Sequence, residues 1–354
     1  FRKAAALPQS FVSNGAVQSF DYDGDGDLDL FVGGRQLPGK YGKPVDSQLL
    51  ENNGTAFIDV TDSKASFLRD YGMVTSAICA DIDGDGNEEL LTAGEWMPLR
   101  VYRYSSDGLK DISSEMGFDN TKGWWNVLAT ADIDHDGDLD ILGGNLGLNI
   151  KYKASPDKPF KLYVDDFDGN GSNDVYLGYY EGDKCFPVRG RQCSSEQMPF
   201  VKKKFKNYNE FGTATVLDVL DGRISESTVV QEAQIFANTV FINNGGIFSA
   251  QALPNEAQIA PVYGIAVDDF DGDGKSEAFL AGNMYNREVE TTRSDAGKGC
   301  LISFDIEGSI KVDRTLATGV SADKDVRDVL SLKSDDYSLL VIANNNDPVQ
   351  FYRY

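Results

Sequence analysis

Histidine is almost absent from this chain: there is one, His135, and it lies inside an acidic loop. Ser-His-Asp and Cys-His arrangements therefore have no base to activate a nucleophile, and no His/Cys spacing suits zinc. Cysteine is scarce as well. Four residues are too few for a disulfide scaffold, although Cys185 and Cys193 flank the short polar loop "FPVRGRQ" and are placed to pair in an oxidising compartment. Cys79 and Cys300 sit in apolar strand patterns and read as buried thiols. Basic residues number 33 against 56 acidic ones, a net charge of -23 that argues against a nucleic-acid partner. No apolar run approaches the roughly 18 residues of a membrane span. The sequence opens at Phe1 with neither Met nor a signal-like segment, which reads as a processed or excised piece. Long helical periodicity is missing too, and 36 glycines favour short strands joined by turns.

The negative charge is concentrated. "DYDGDGDLDL" (21–30) has relatives at "DIDGDGNEEL" (81–90), "DIDHDGDLDI" (132–141), "DFDGNGSNDV" (166–175) and "DFDGDGKSEA" (269–278). These five loops with their immediate neighbours carry as much net charge as the whole chain, so the remainder is neutral on balance. Each loop offers side-chain oxygens at positions 1, 3, 5 and 9 and a backbone carbonyl at position 7. In the first loop these are Asp21, Asp23, Asp25, Asp29 and Asp27; in the second Asp81, Asp83, Asp85, Glu89 and Asn87. The third offers Asp132, Asp134, Asp136, Asp140 and Asp138, and the fourth Asp166, Asp168, Asn170, Asp174 and Ser172. The fifth offers Asp269, Asp271, Asp273, Glu277 and Lys275. Hard oxygen ligands in a glycine-rich loop suit Ca2+, which takes six to eight of them.

An EF-hand would need a glutamate at position 12, where these loops hold Val32, Thr92, Gly143, Leu177 and Leu280, and helical flanks, where these are strand-like. Solvated acidic turns without metal are the bland alternative. Five copies with one ligand spacing count against it, because clustered like charges are costly without a counterion. About five calcium sites are expected.

Each loop lies between a short apolar strand and a second strand that runs into Gly34, Gly94, Gly144, Gly178 or Gly282. Hairpins with turn signals follow, as in "LLENNGTAFIDV", "VYRYSSDGLKDI", "VFINNGGIFSA" and "LISFDIEGSIKV". Repeated four-stranded units indicate an all-β fold, a β-propeller, over a single domain at residues 1–354. Loop starts are 60, 51, 34 and 103 residues apart, and a metal-free unit follows at 328–346. Six units are clear and seven are possible. A partly helical insertion is expected at 185–238, with Ser194 and Gln197 at capping-box spacing and helical apolar spacing in "ESTVVQEAQIFAN". The final segment "PVQFYRY" reads as a third strand whose hairpin partner is supplied by the N-terminal strand, closing the ring.

The "DxDGDGxxD" loops, the Tyr-Gly pairs at 71–72 and 263–264 and the terminal glycines resemble FG-GAP/VCBS repeats of integrin-α-type propellers. The departure is that Arg35, Glu95, Asn145, Tyr179 and Asn283 follow those glycines where the family has Ala-Pro. "GMVT", "GEWMP", "GWWN" and "GNLGLN" are similar to bacterial cell-envelope proteins of the ASPIC/UnbV (cartilage acidic protein-like) type. The resemblance implies an extracytoplasmic, calcium-stabilised binding or scaffold module. On the face opposite the calcium loops it would display Arg35, Trp96, Trp124, Trp125, Asn145, Tyr179, Tyr263, Asn283, Tyr285 and Arg287. That set suits a glycan or another envelope component, or a protein partner in adhesion, although aromatics of this kind also pack between blades. The one basic run, "KKKFK" (202–206), reads as a solvated helix face. An enzymatic alternative, a lyase or glycosidase, would use Glu288 or Glu290 with Tyr285 and Arg287.

Overall fold

Within Glu89–Met97, Leu90 packs with Phe20, Phe31 and Leu49, while its neighbour Leu91 packs with Leu128, Ile141 and Phe241. Successive side chains of a strand point to opposite faces, so a strand apolar on both faces needs a sheet on each side. The computed structural model, which describes residues 7–287, 291–304, 309–334 and 337–354, is built on that rule. It is all-β and mostly antiparallel, with short helices confined to connections and to one insertion.

Sheet 1 runs Ser13–Phe20, Asp29–Gln36, Gln48–Asn52 and Phe57–Asp59 in hydrogen-bonded order. Sheet 2 repeats the plan with Met73–Ala80, Glu89–Met97, Arg100–Ser105 and Gly108–Asp111, and Gly123–Trp124 adds to its second strand. Sheet 4 comprises Gly264–Asp268, Glu277–Ala281, Cys300–Phe304 and Ile310–Arg314. Sheet 5 has three strands among the described residues, Val326–Lys333, Ser338–Asn344 and Gln350–Arg353. All the hairpins expected from the turn signals are present.

Sheet 3 is discontinuous in sequence. Val127–Ala131 and Asp140–Gly144 pair with Thr239–Asn243 and Phe248–Ala252, 94 residues further on. Between them lies another sheet, Phe160–Asp165, Asp174–Glu181, Lys184–Pro187 and Val229–Ala233, which carries the fourth acidic loop. The insertion is therefore larger than 185–238 and includes a unit expected to stand in series. Its helices are short. Arg191–Gln197 starts at Gly190 without a side-chain cap, so Ser194 caps nothing, and the capping box is Thr215 with Asp218. "ESTVVQEAQIFAN" contains a strand, because Val229–Ala233 pairs along Phe160–Asp165. No disulfide joins Cys185, on a strand, to Cys193, in a helix; Cys300 is buried, and burial pushes the thiols of Cys79 and Cys300 up to about 12.

The first strand of each sheet packs against the first strand of the next, through sheets 1 to 5. The junctions are filled by Phe31 and Tyr102 (1 to 2), Trp125 and Phe241 (2 to 3), Leu142 and Ile302 (3 to 4), and Phe279 and Ile342 (4 to 5). Close approach fixes the glycines that end the second strands. A Cβ on Gly94 would lie 2.1 Å from the Met73 carbonyl, and one on Gly282 2.1 Å from that of Pro261. Among the described residues no extensive strand packing of sheet 1 on sheet 5 accompanies these junctions. The expected closing strand falls largely on residues 1–6, outside the described residues, and residues 7–12 belong to no strand.

The inserted sheet buries Tyr163 and Tyr176 against its own helices, with Met198, Phe205 and Val219. Its other face carries Phe160, Leu162 and Val164 onto Trp96 and Met73 of sheet 2. It thereby covers the ends of the second strands, opposite the acidic loops.

Candidate metal-binding loops

Every acidic loop is the turn between a first and a second strand, and its position 9 is the first residue of the second strand. Asp29, Glu89, Asp140, Asp174 and Glu277 stand directly opposite Phe20, Ala80, Ala131, Asp165 and Asp268. All five are buried, at 0–5% exposure. Each accepts the backbone N–H of position 2: Tyr22 to Asp29 at 3.1 Å, Ile82 to Glu89 at 3.3 Å, Ile133 to Asp140 at 3.0 Å. The same bond runs from Phe167 to Asp174 at 3.0 Å and from Phe270 to Glu277 at 2.8 Å. Asp29 and Asp140 also accept from the third strands, through the N–H of Asn52 (2.7 Å) and of Asn243 (2.8 Å). In these two loops position 9 thus ties together three strands and the loop.

The remaining positions repeat with the same regularity. The N–H of position 5 donates to the position 3 carboxylate at 3.1–3.3 Å in all five loops. The N–H of position 7 (Asp27, Asn87, Asp138, Ser172, Lys275) donates to the side chain at position 5 at 2.8–3.0 Å. Position 6 is glycine throughout, with its N–H on the position 1 carboxylate at 2.7–3.2 Å. Carboxylate oxygens converge within 4.8 Å in each loop: Asp21/Asp23/Asp29, Asp81/Asp83/Asp85, Asp132/Asp134/Asp136, Asp166/Asp168/Asp174 and Asp269/Asp271/Asp273.

Burial raises the carboxyls of Asp29 and Asp140 to about 6 and that of Glu89 to about 7; those of Asp174 and Glu277 are raised for the same reason. Three carboxylate oxygens, Asp27 Oδ1, Glu89 Oε1 and Asp132 Oδ1, are shielded from solvent without a hydrogen-bond donor. Buried acceptors of that kind call for a partner, and an all-oxygen, anionic donor set fits a hard divalent cation. In the second loop Arg103 bonds Asp83 and lies 3.6 Å from Glu89, so a side-chain cation already leans on that site. Asp268, the residue before the fifth loop, carries a contact that sequence reasoning missed. It accepts from Ser331, from Lys333 and from the Tyr354 hydroxyl (2.5 Å), all in the sheet 5 region. Burial alone would raise its pKa, but those donors hold it at about 2.

The ten residues expected to form a binding mouth are dispersed. Trp96 is 3% exposed, donates to the Tyr41 hydroxyl at 3.1 Å and stacks on Phe160 of the inserted sheet with ring centroids 6.0 Å apart. Trp125 is fully buried between sheets 2 and 3, its Nε1 on the Thr121 carbonyl. Asn145 and Asn283 are fully buried and bridge backbone segments, Asn145 Nδ2 to Ile235 O and Asn283 Nδ2 to Gly297 O and Lys324 O. These four have no surface to offer a ligand, which corrects the expectation for them.

Others stay partly open. Arg35 donates to Glu95 at 2.5 Å, and Glu95 also accepts from the Tyr41 hydroxyl at 2.7 Å, a buried cluster the motif "GEWMP" did not disclose. Trp124 is half-buried opposite Glu95, and Tyr263 lies under the Arg327 guanidinium at 4.6 Å. Tyr285 donates to the Asp323 carbonyl, beside half-buried Arg287, and Tyr179 is exposed on the inserted sheet. Glu288 and Glu290 lie outside the described residues.

The FG-GAP-like repeat family matches twice, at residues 21–92 and 81–143, over the first three loops. Residues 21–143 are FG-GAP-like repeats. FG-GAP repeats are typically extracellular, and no helix among the described residues is long and apolar enough to cross a membrane. No curated protein matches the chain. Among solved structures, the Vibrio cholerae biofilm matrix protein Bap1 aligns at 15% identity and a TM-score of 0.32. That alignment covers 87% of this chain, which spans 40% of the Bap1 chain. An Agrocybe aegerita lectin, described as recognising non-reducing terminal N-acetylglucosamine, aligns at 15% identity and a TM-score of 0.31. It covers 96% of this chain and 80% of the lectin. Likeness at that level says nothing about ligand.

Proposed function

We propose that this FG-GAP repeat protein is a calcium-stabilised, non-enzymatic scaffold, its sheets the blades of a β-propeller. It would work outside the cytoplasm and bind a carbohydrate or another cell-envelope component. The observation that carries the calcium reading is the buried carboxylate at position 9 of all five loops, set beside converging oxygens of which three lack any donor. A divalent ion at each loop would neutralise that charge and brace first strand, loop and second strand together. Scaffold is favoured over a ligand-binding mouth because the inserted sheet covers Trp96 and the core holds Trp125. Recognition then belongs to what remains open, Tyr179 and Tyr180 on the inserted sheet and the half-exposed Arg35, Trp124 and Tyr263.

Thermal unfolding in excess EDTA and in millimolar calcium tests the first half. Calcium is expected to raise the midpoint, each site contributing about 2.7 kcal/mol when free ion stands a hundredfold above Kd. A midpoint indifferent to EDTA would overturn structural calcium. A glycan array tests the second half: binding weakened by Tyr179→Ala is expected, and an array without any binding removes the carbohydrate reading.

A further inference from the structure

The junction of sheets 3 and 4 has a gap at the end away from the acidic loops. There Glu277–Ala281 runs out into Gly282, Leu280 pairs with Cys300, and Cys300 pairs with Arg314. The segments that cross this end supply little bulk. Ala257 and Ala260 come from the connection leading into sheet 4, and Gly297 and Gly299 from the connection between its second and third strands. They leave a cavity of about 430 Å³, inside the range of roughly 300–1,000 Å³ usual for small-molecule sites.

Its floor and its rim differ in chemistry. Val262, Leu280 and Cys300 line the floor and are buried. Lys298 and Arg314 stand exposed on the rim, and neither side chain makes a hydrogen bond or an ion pair. Glu256 is the one acid among the lining residues. Leu316, also on the rim, is fully exposed and packs on nothing. An apolar floor suits an alkyl or aryl body, and two unpaired cations against one carboxylate suit an anionic head.

We propose that this cavity binds a small amphiphilic carboxylate, its apolar body against Val262, Leu280 and Cys300 and its carboxylate between Lys298 and Arg314. Leu316 then covers the bound chain. The site shares no residue with the open side chains assigned to recognition above, so it stands whether or not those bind a glycan.

Isothermal titration calorimetry of the whole chain with octanoate, octanol and octylamine tests it. Octanoate is expected to bind saturably, and octanol about tenfold more weakly, the combined worth of two exposed ion pairs. Octylamine, a cation at neutral pH, is expected to bind more weakly again. Lys298→Ala with Arg314→Ala should bring octanoate down to the level of octanol and leave octanol unchanged. Ala260→Phe fills the cavity and should abolish binding of both, with the melting midpoint reporting that the fold is kept. Should Ala260→Phe not fold, Ile259→Asp sets a like charge in the same lining and is expected to weaken octanoate more than octanol. No saturable heat with octanoate would overturn the proposal, as would octanol or octylamine binding as tightly as octanoate. Octanoate binding untouched by these variants would put its site elsewhere on the molecule and overturn the proposal too.

Discussion

At the scale of single residues, the loops are decided by backbone conformation as much as by charge. Position 6 is glycine in all five, at φ 88–102°. A Cβ on Gly26 would meet nothing within 4 Å, so only the left-handed backbone, not space, demands glycine there. Gly26→Ala is expected to cost about 1–2 kcal/mol, read from urea unfolding with calcium present. A loss below the error of the fit would mean that the loop relaxes to another turn. Position 4 tells the same story through its exception. His135 adopts φ 65° where Gly24, Gly84, Gly169 and Gly272 stand at 72–80°. The Asp132 oxygen beside it lacks a donor, whereas Gly24 and Gly84 donate to Asp21 and Asp81 at 2.8 Å. "DIDHDGDLDI" shows the substitution plainly; its consequence for Asp132 needed coordinates.

Among elements, the inserted sheet is the one that changes what the molecule presents. Its two ends meet, the Asn145 N–H donating to Asn238 Oδ1 at 2.6 Å. Replacing residues 146–237 by a short glycine linker is therefore expected to leave sheet 3 paired and unfolding cooperative. Trp96 would lose Phe160, and tryptophan emission should shift to the red. An unshifted spectrum would show that Trp96 is buried by something else. The hairpins and loops were legible in the sequence because turn residues and period-2 apolar patterns are local. The nesting was not. Thr239–Asn243 reads like any third strand, and nothing local says that it pairs with Asp140–Gly144 rather than with the nearer Asp174–Glu181. Val229–Ala233 misled for a related reason: its apolar spacing suits either period, and pairing with Phe160–Asp165 settled the matter.

On the scale of the whole molecule the loops act together. They hold the net charge of -23, and the second and third loops are bridged through Asn243, whose N–H donates to Asp140 and whose side chain donates to the Ile82 carbonyl. Repulsion among them is screened by salt over a Debye length of about 10 Å at 0.1 M ionic strength. In EDTA the melting midpoint is therefore expected to climb with NaCl, and in calcium to depend on it far less. Equal slopes in the two series would mean that calcium leaves the loop charge uncompensated.

Sequence alone determined the repeating unit, its carboxylate positions and its all-β class, because each is written in residues a few positions apart. Carboxylates at alternate positions, glycine where φ must be positive and apolar residues at period 2 act locally. Tertiary structure alone decided that the fourth loop is nested in the third sheet and that Trp96 and Trp125 are interior. Each of these depends on which strands meet across tens of residues. Such pairing is selected by the burial of whole apolar faces rather than by any short stretch of chain.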